Sequence, residues 1–272
     1  MVNTVRMLAS LRQERILAAV HAHGAVRVAD LVDELGVSDM TVRRDIAELA
    51  HAGLVRRVHG GAVGVEARHR SADEPGFEAK RGWAAAEKAA VARLAASLIE
   101  PGQSVALSAG TTTHLLAREI AAATALRPLT VVTNSLPVAE ALHSATSPAG
   151  LDVILTGGVR TPSDALVGPV ADTSLSRLRV DTAYLGVHGL DEDGLTTPNL
   201  LEAATNQALL ACATQLTVLA DHTKWGVVGL ARIAALDEVD VLVTDSGLPD
   251  DARRALASRV GRLLLAPDDH PR

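Results

Sequence analysis

From residue 104 onward, seven short apolar runs follow one another: SVALS, LTVVT, LDVILT, TAYLGV, QLTVLA, VDVLVT and RLLLA. Stretches with helical periodicity lie between several of them, at 112–123, 137–143, 200–213 and 250–259. Strands separated by helices are joined by crossovers rather than tight hairpins. Crossovers make neighbouring strands parallel and place helices over the sheet. The expected fold class is therefore α/β, with a largely parallel sheet in the C-terminal part. Hydrophobic residues make up 48% of the chain but aromatics only 1%, so the core must be built from Ala, Val, Leu and Ile.

Small and polar residues gather where these runs end. Gly110-Thr111-Thr112-Thr113 follows the first, Thr133-Asn134-Ser135 the second and Gly157-Gly158 the third. Asp221-His222-Thr223-Lys224 follows QLTVLA, and Asp245 follows VDVLVT. In open α/β sheets, ligands bind outside the carboxyl ends of the strands. The GTTT run also opens a helix, whose first N–H groups can hold a phosphate or carboxylate. Lys224 adds a positive charge to that rim. One such cluster is explained as well by helix capping; five on one rim favour a ligand pocket.

The first 65 residues have a different character. They hold eight Arg against seven Asp and Glu, a net charge of +1, whereas residues 66–272 carry −7. A helix is expected from Leu11, ended by Gly24. Val28, Leu31, Val32 and Leu35 form the apolar face of a second helix, followed by Gly36. Ser38 is a good N-cap for a third, with Val42, Ile46 and Leu49 as its buried stripe and Gly53 as its stop. The opposite face presents Met40, Thr41 and Arg44, with Arg43 at the margin. Two helices joined by a glycine turn, the second exposing cations in its first turns, form a helix-turn-helix that enters the DNA major groove. LVRRVHGGAVGV then reads as a hairpin about His59-Gly60-Gly61, a wing from which Arg56, Arg57 and His59 reach phosphates or the minor groove.

The run RILAAVHAHGAVRVADLVDELGVSDMTVRRDIAELAHAGLVRRVHGGAV resembles the winged helix-turn-helix of DeoR-type bacterial repressors. SAGTTTHLLA, VVTNS, LTGGVR, YLGVHGLDEDGLTT, LLEAATNQAL and VLADHTKWG resemble the effector-binding half of the same family, which shares its fold with ribose-5-phosphate isomerase. The resemblance implies a DNA-binding transcriptional regulator of the repressor kind. The expected organisation is a winged helix-turn-helix domain over residues 1–65, a linker over 66–82 and an effector-binding α/β domain over 83–272. DNA contacts are expected from Ser38, Met40, Thr41, Arg43, Arg44, Arg56, Arg57 and His59. The implied effector is a phosphorylated sugar, held by Ser108, Gly110, Thr111, Thr112, Thr113, Asn134, Gly157, Gly158, Glu202, Asp221 and Lys224. The implied partners are double-stranded operator DNA and further copies of the chain, as a homodimer or homotetramer. No cofactor, metal or membrane is expected. Two positions depart from the family pattern: Ser108 stands where an Asp is usual, and Asn206 where a Lys is usual. Both departures remove charge, so an altered, less anionic effector or weakened effector binding is expected.

The rival class is a sugar-phosphate isomerase with an accessory DNA-binding domain, using Glu202 or Asp221 as a base. Asn206 deprives it of a cationic partner, and such an enzyme gives the N-terminal segment no role. His21 and His23 are two apart on a helix and do not share a face. DEDG at 191–194 is expected as a hairpin turn rather than a calcium loop, and Cys212 as a core residue. A single cysteine excludes an intrachain disulfide. The opening MVNTVRMLASLRQERIL has no long apolar run, so neither a signal peptide nor a membrane span is expected, and the expected location is cytoplasmic.

Overall fold

A computed structural model describes residues 9–23, 25–52, 54–58, 60–64, 70–71, 76–143 and 150–267. The chain divides into two compact units, Met1–Asp73 and Glu74–Arg272.

In the first unit, α1 (Ala9–His23), α2 (Val28–Leu35) and α3 (Asp39–His51) pack on a small sheet. The expected hairpin is present as β2 (Val55–Val58) and β3 (Gly61–Gly64), antiparallel with Arg57 opposite Ala62. A third strand, β1 (Ala25–Arg27), pairs with β3 on its other side. Periodicity did not disclose it because three residues are too few to show alternation. Ile16 and Val20 of α1, Val28, Leu31 and Leu35 of α2, Val42, Ile46 and Leu49 of α3, and Val55 of β2 form one buried cluster. Truncating any of its Leu or Ile side chains to Ala should cost about 2–5 kcal/mol. Gly24 and Gly53, the expected helix stops, lie outside the described residues.

The second unit is built on a seven-stranded sheet. Its strands are β4 (Ser104–Leu107), β5 (Leu129–Thr133), β6 (Leu151–Leu155), β7 (Val180–Gly186), β8 (Ala213–Leu219), β9 (Val241–Asp245) and β10 (Arg262–Ala266). The spatial order is β10-β9-β8-β7-β4-β5-β6, and every pairing is parallel. The seven runs read from the sequence are these seven strands. Helices α4 (Ala85–Ala96), α5 (Thr111–Ala122) and α6 (Leu136–His143) cover one face. Helices α7 (Pro169–Ser176), α8 (Leu200–Ala211) and α9 (Asp250–Ala257) cover the other. Their core residues are Ala, Val, Leu and Ile almost throughout, as the low aromatic content requires.

The order of strands fixes where a ligand can sit. From β4 the chain builds β5 and β6 to one side, then returns to lay β7 against the free edge of β4 and continues the other way. The crevice between the carboxyl ends of β4 and β7 is thus the point of reversal, where open α/β sheets bind ligands. A small antiparallel sheet of Gly189–Asp191, Gly194–Thr197 and Ala231–Ala234 stands beside it. Residues 77–80, within the stretch expected as a linker, form a short helix belonging to this second unit, with Phe77 buried.

Candidate functional site

The first site is the face of α3. Ser38 has extended backbone angles and its hydroxyl accepts the N–H of Thr41 at 3.3 Å, the capping expected of it. The two hydroxyls of Ser38 and Thr41 are also hydrogen-bonded, at 2.8 Å. Met40 projects from the first turn and is 79% exposed. Arg43 donates two hydrogen bonds to Asp39, at 2.5 and 3.2 Å, and Arg44 donates one to Glu48 at 3.0 Å. The Asp39 hydrogen bond raises the pKa of Arg43. Exposed pairs one helical turn apart contribute only about 0.3–0.5 kcal/mol, so both guanidinium groups can exchange their carboxylates for phosphates. Arg57 is exposed on β2. The backbone of Arg56 lies in the same strand; its side chain, and all of His59, lie outside the described residues.

What sequence reading missed in this unit is the anchor behind the helix. Asp45 of α3 is buried and receives two hydrogen bonds from Arg12 of α1, at 2.7 and 3.1 Å. Asp45 belongs to the RRD run but faces inward. The two residues are 33 positions apart, and no local pattern pairs them.

The second site is a cavity at the β4–β7 crevice. Ala109, Gly110, Thr111 and Thr112 enter it from the β4–α5 turn, and Gly186, Val187 and His188 from the end of β7. Asn134 follows β5, Glu202 and Asn206 come from α8, and Lys224 follows β8. Gly110 caps α5 with a φ of +146°, a conformation that favours glycine, and leaves the first N–H groups of the helix facing the crevice. Asn134 ties the rim together: its Oδ1 accepts the N–H of Ala109 at 3.2 Å and its Nδ2 donates to Leu166 O at 3.1 Å. Glu202 is buried, and its Oε1 accepts the hydroxyls of Thr161, at 2.6 Å, and of Ser163.

Several expected pocket residues stand elsewhere. Ser108 is wholly buried; its hydroxyl donates to Ala109 O and accepts the N–H of Gly186, so it lines nothing. Thr113 is buried and donates to Gly110 O. Gly157 and Gly158 also lie outside the cavity. A side chain on Gly158 would come within 2.7 Å of Val167 O, so that glycine answers a close backbone approach. Asp221 is buried behind the cavity, where one carboxylate oxygen accepts the N–H and hydroxyl of Thr223. The other oxygen is buried without a hydrogen-bond partner among the described residues.

The charge of the cavity is distinctive. Of 26 basic residues in the chain only Lys80, Lys88 and Lys224 are lysines, and all three meet here. Lys80 and Lys224 line the cavity, while Lys88 is buried behind it and donates to Lys80 O at 3.0 Å. Burial first, then the charge of Lys224, lowers the Lys88 pKa to about 8 against the pull of Asp221. Lys224 is likewise lowered, by burial and by Lys80, with Asp221 opposing. Burial and the two lining lysines push His188 down to about 3, so its ring is neutral. Both His188 ring nitrogens are buried without hydrogen-bond partners among the described residues. Sequence reading did not assign Phe77, Lys80 or His188 to the pocket. The scarcity of lysine in an arginine-rich chain was the one signal available for Lys80.

Among the described residues no group of three His, Cys, Asp or Glu side chains stands close enough to hold a metal. DEDG forms a turn in which Asp191 accepts the N–H of Asp193 at 2.9 Å, and Cys212 is buried.

The chain matches two family models: the DeoR-like helix-turn-helix domain over residues 12–68 and the DeoR C-terminal sensor domain over 83–246. It is 36% identical to the HTH-type transcriptional regulator YgbI of Escherichia coli K12, over 95% of this chain and 98% of that one. It is 36% identical to the HTH-type transcriptional regulator GlpR of Haloferax volcanii, over 93% and 96%. It is 36% identical to the lactose phosphotransferase system repressor of Staphylococcus aureus N315, over 86% and 91%. Among solved structures, ribose 5-phosphate isomerase A of Methanocaldococcus jannaschii aligns with a TM-score of 0.37 at 18% identity, over 51% of this chain and 53% of that one. The full-length relatives are named as regulators and repressors, not as enzymes. The chain belongs to the DeoR family of DNA-binding transcriptional regulators.

Proposed function

We propose that this chain represses a carbohydrate-metabolism operon and is controlled by a phosphorylated sugar, or a related anionic metabolite, bound at the β4–β7 crevice. The observation that carries the effector reading is that two lysines line one cavity with His188, whose ring nitrogens are buried without hydrogen-bond partners among the described residues. Like charges held together are stabilised by a bound anion, and buried polar atoms without partners mark a place where a partner belongs. The anionic group sits between the N-terminus of α5 and Lys224. Glu202, Asn206, Asn134 and His188 meet the hydroxyls. Gly110, Thr111, Thr112, Asn134, Glu202 and Lys224 remain in the proposed contact set; Ser108, Thr113, Gly157, Gly158 and Asp221 act behind it.

On the other unit, Ser38, Met40, Thr41, Arg43 and Arg44 face the major groove of a double-stranded operator, with Arg57 reaching the backbone from the wing. Two or four copies reading repeated half-sites is the assembly we infer. The effector releases DNA only if it binds the released state better than the DNA-bound one. Among the described residues no helix is long and apolar enough to cross a membrane.

A thermal melt against a panel of sugars and sugar phosphates tests the effector reading. A ligand at 100 times its Kd adds about 2.7 kcal/mol. Stabilisation by a phosphorylated sugar in the wild type, absent in Lys224→Ala, supports the assignment. Stabilisation by unphosphorylated sugars alone would refute the anionic effector.

A further inference from the structure

Two residues of the cavity wall, Phe77 and Lys80, fall between the two family matches, which end at 68 and resume at 83. They sit on the one-turn helix Phe77–Lys80, in the segment with which the second unit begins. This helix is tied to the site at three points. The N–H of Phe77 donates to Pro162 O at 3.3 Å, and Pro162 lies between Thr161 and Ser163, the two residues whose hydroxyls hold Glu202. The Phe77 ring meets the His114 ring of α5 edge-on, with centroids 5.4 Å apart. Lys88 Nζ holds Lys80 O. The helix therefore touches the loop that holds the acidic group, the helix α5 and the buried cation.

The cavity encloses about 60 Å³, whereas pockets for small ligands usually measure roughly 300–1,000 Å³. A sugar phosphate, larger than this space, would press on its walls. The strand ends belong to a seven-stranded sheet; Phe77–Lys80 is a single helical turn outside it.

We propose that the helix Phe77–Lys80 is the sensing wall of the effector site, displaced by the entering ligand and then held by Lys80 on the bound anion. The proposal rests on the effector reading above and extends it. Occupancy thereby acts on the segment with which the second unit begins, the one that follows the DNA-binding unit in sequence. The gathering of all three lysines supports it: an arginine-rich chain keeps compact ammonium groups on the wall, on the rim and behind them.

The test uses the full chain and whichever hexose or pentose phosphate of a panel raises its melting temperature. Affinity is measured for wild type, Lys80→Met and Lys80→Arg. Amide exchange is followed in peptides covering residues 76–84 with and without that compound. Lys80→Met should weaken binding at least tenfold and Lys80→Arg should restore part of the loss. Exchange in 76–84 should change at least threefold on binding in the wild type. Stabilisation of the protein with unchanged exchange in 76–84, or with Lys80→Met binding as wild type does, would overturn the sensing wall and leave the pocket standing. If no sugar phosphate stabilises the protein, the effector reading falls and this proposal with it.

Discussion

The hydroxyl of Ser108 accepts the backbone N–H of Gly186 at 3.0 Å, joining the ends of two neighbouring parallel strands that are 78 residues apart in sequence. The bond closes the crevice at its base. The side chain of Ser108 is thus turned into the sheet, away from the cavity. Ser108→Ala removes the acceptor and leaves a backbone N–H unpaired at the floor of the site, which should cost about 1–3 kcal/mol. Urea unfolding reads it; a loss below about 0.5 kcal/mol would mean that Gly186 finds another acceptor.

The seven strands were legible because a parallel sheet covered on both faces needs continuous apolar runs, and this chain has seven. The recognition helix was legible because Ser38, Val42, Ile46 and Leu49 carry cap and stripe in one local pattern. What local pattern does not carry is contact between distant residues. Arg12 with Asp45, Ser108 with Gly186, and Phe77 with His114 each join parts of the chain that no periodicity links. The helix at 77–80 is four residues long, too short to show a helical period. Gly157 and Gly158 looked like pocket glycines because they follow a strand; Gly157 instead has a φ of +75° and Gly158 packs against the backbone of Val167, features visible only in three dimensions.

Met40 gives the most direct test of base reading. Its side chain is 79% exposed on the first turn of α3, while Arg43 and Arg44 beside it are paired with carboxylates. An exposed apolar side chain in the major groove meets the thymine methyl. On a duplex selected from a randomised library, replacing one thymine per half-site by deoxyuridine should weaken the wild type several-fold and leave Met40→Ala unchanged. Equal losses in both proteins would remove Met40 from base contact. Arg44→Ala should cost about 1–3 kcal/mol of operator binding if the residue reads a base.

The Arg12–Asp45 pair, with side chains 12% and 3% exposed, sets the orientation of the recognition helix against α1. Asp45→Ala removes the two hydrogen bonds that Arg12 donates to it, and hydrogen bonds to charged groups contribute about 1.5–3 kcal/mol each. Asp45→Ala should therefore lower the melting temperature of the N-terminal unit and abolish operator binding, although Asp45 faces away from DNA. A variant that melts as the wild type does would show that the pair is dispensable.

His222 and Asp245 give a pH signature. Nδ1 of His222 lies 2.7 Å from Asp245 Oδ2, and the His222 N–H donates to Oδ1, also at 2.7 Å. The hydrogen bond to Asp245 raises the His222 pKa despite burial. Burial pushes Asp245 up, but His222 pulls it below its ordinary value overall. The histidine contribution is complete below its unfolded pKa of about 6.5 and is lost as pH rises through the higher folded value. The aspartate contribution is present above its unfolded pKa of about 3.9 and is lost as pH falls through the lower folded value. The stability difference between wild type and His222→Gln should therefore be largest between about pH 4 and 6.5 and shrink at higher pH. A difference independent of pH would mean the pair is not ionic.

The central claim is that an anionic sugar-derived ligand, gripped at Lys224, controls the hold on DNA. The measurement is operator affinity of the full chain at fixed salt on the library-selected duplex, titrated with sugar phosphates and their parent sugars, for wild type and Lys224→Ala. The account expects at least one phosphorylated sugar to change wild-type affinity tenfold or more, its parent sugar to do nothing, and Lys224→Ala to bind DNA normally without responding. A wild type whose operator affinity no phosphorylated sugar alters, or a Lys224→Ala variant that responds as fully as wild type, would contradict it.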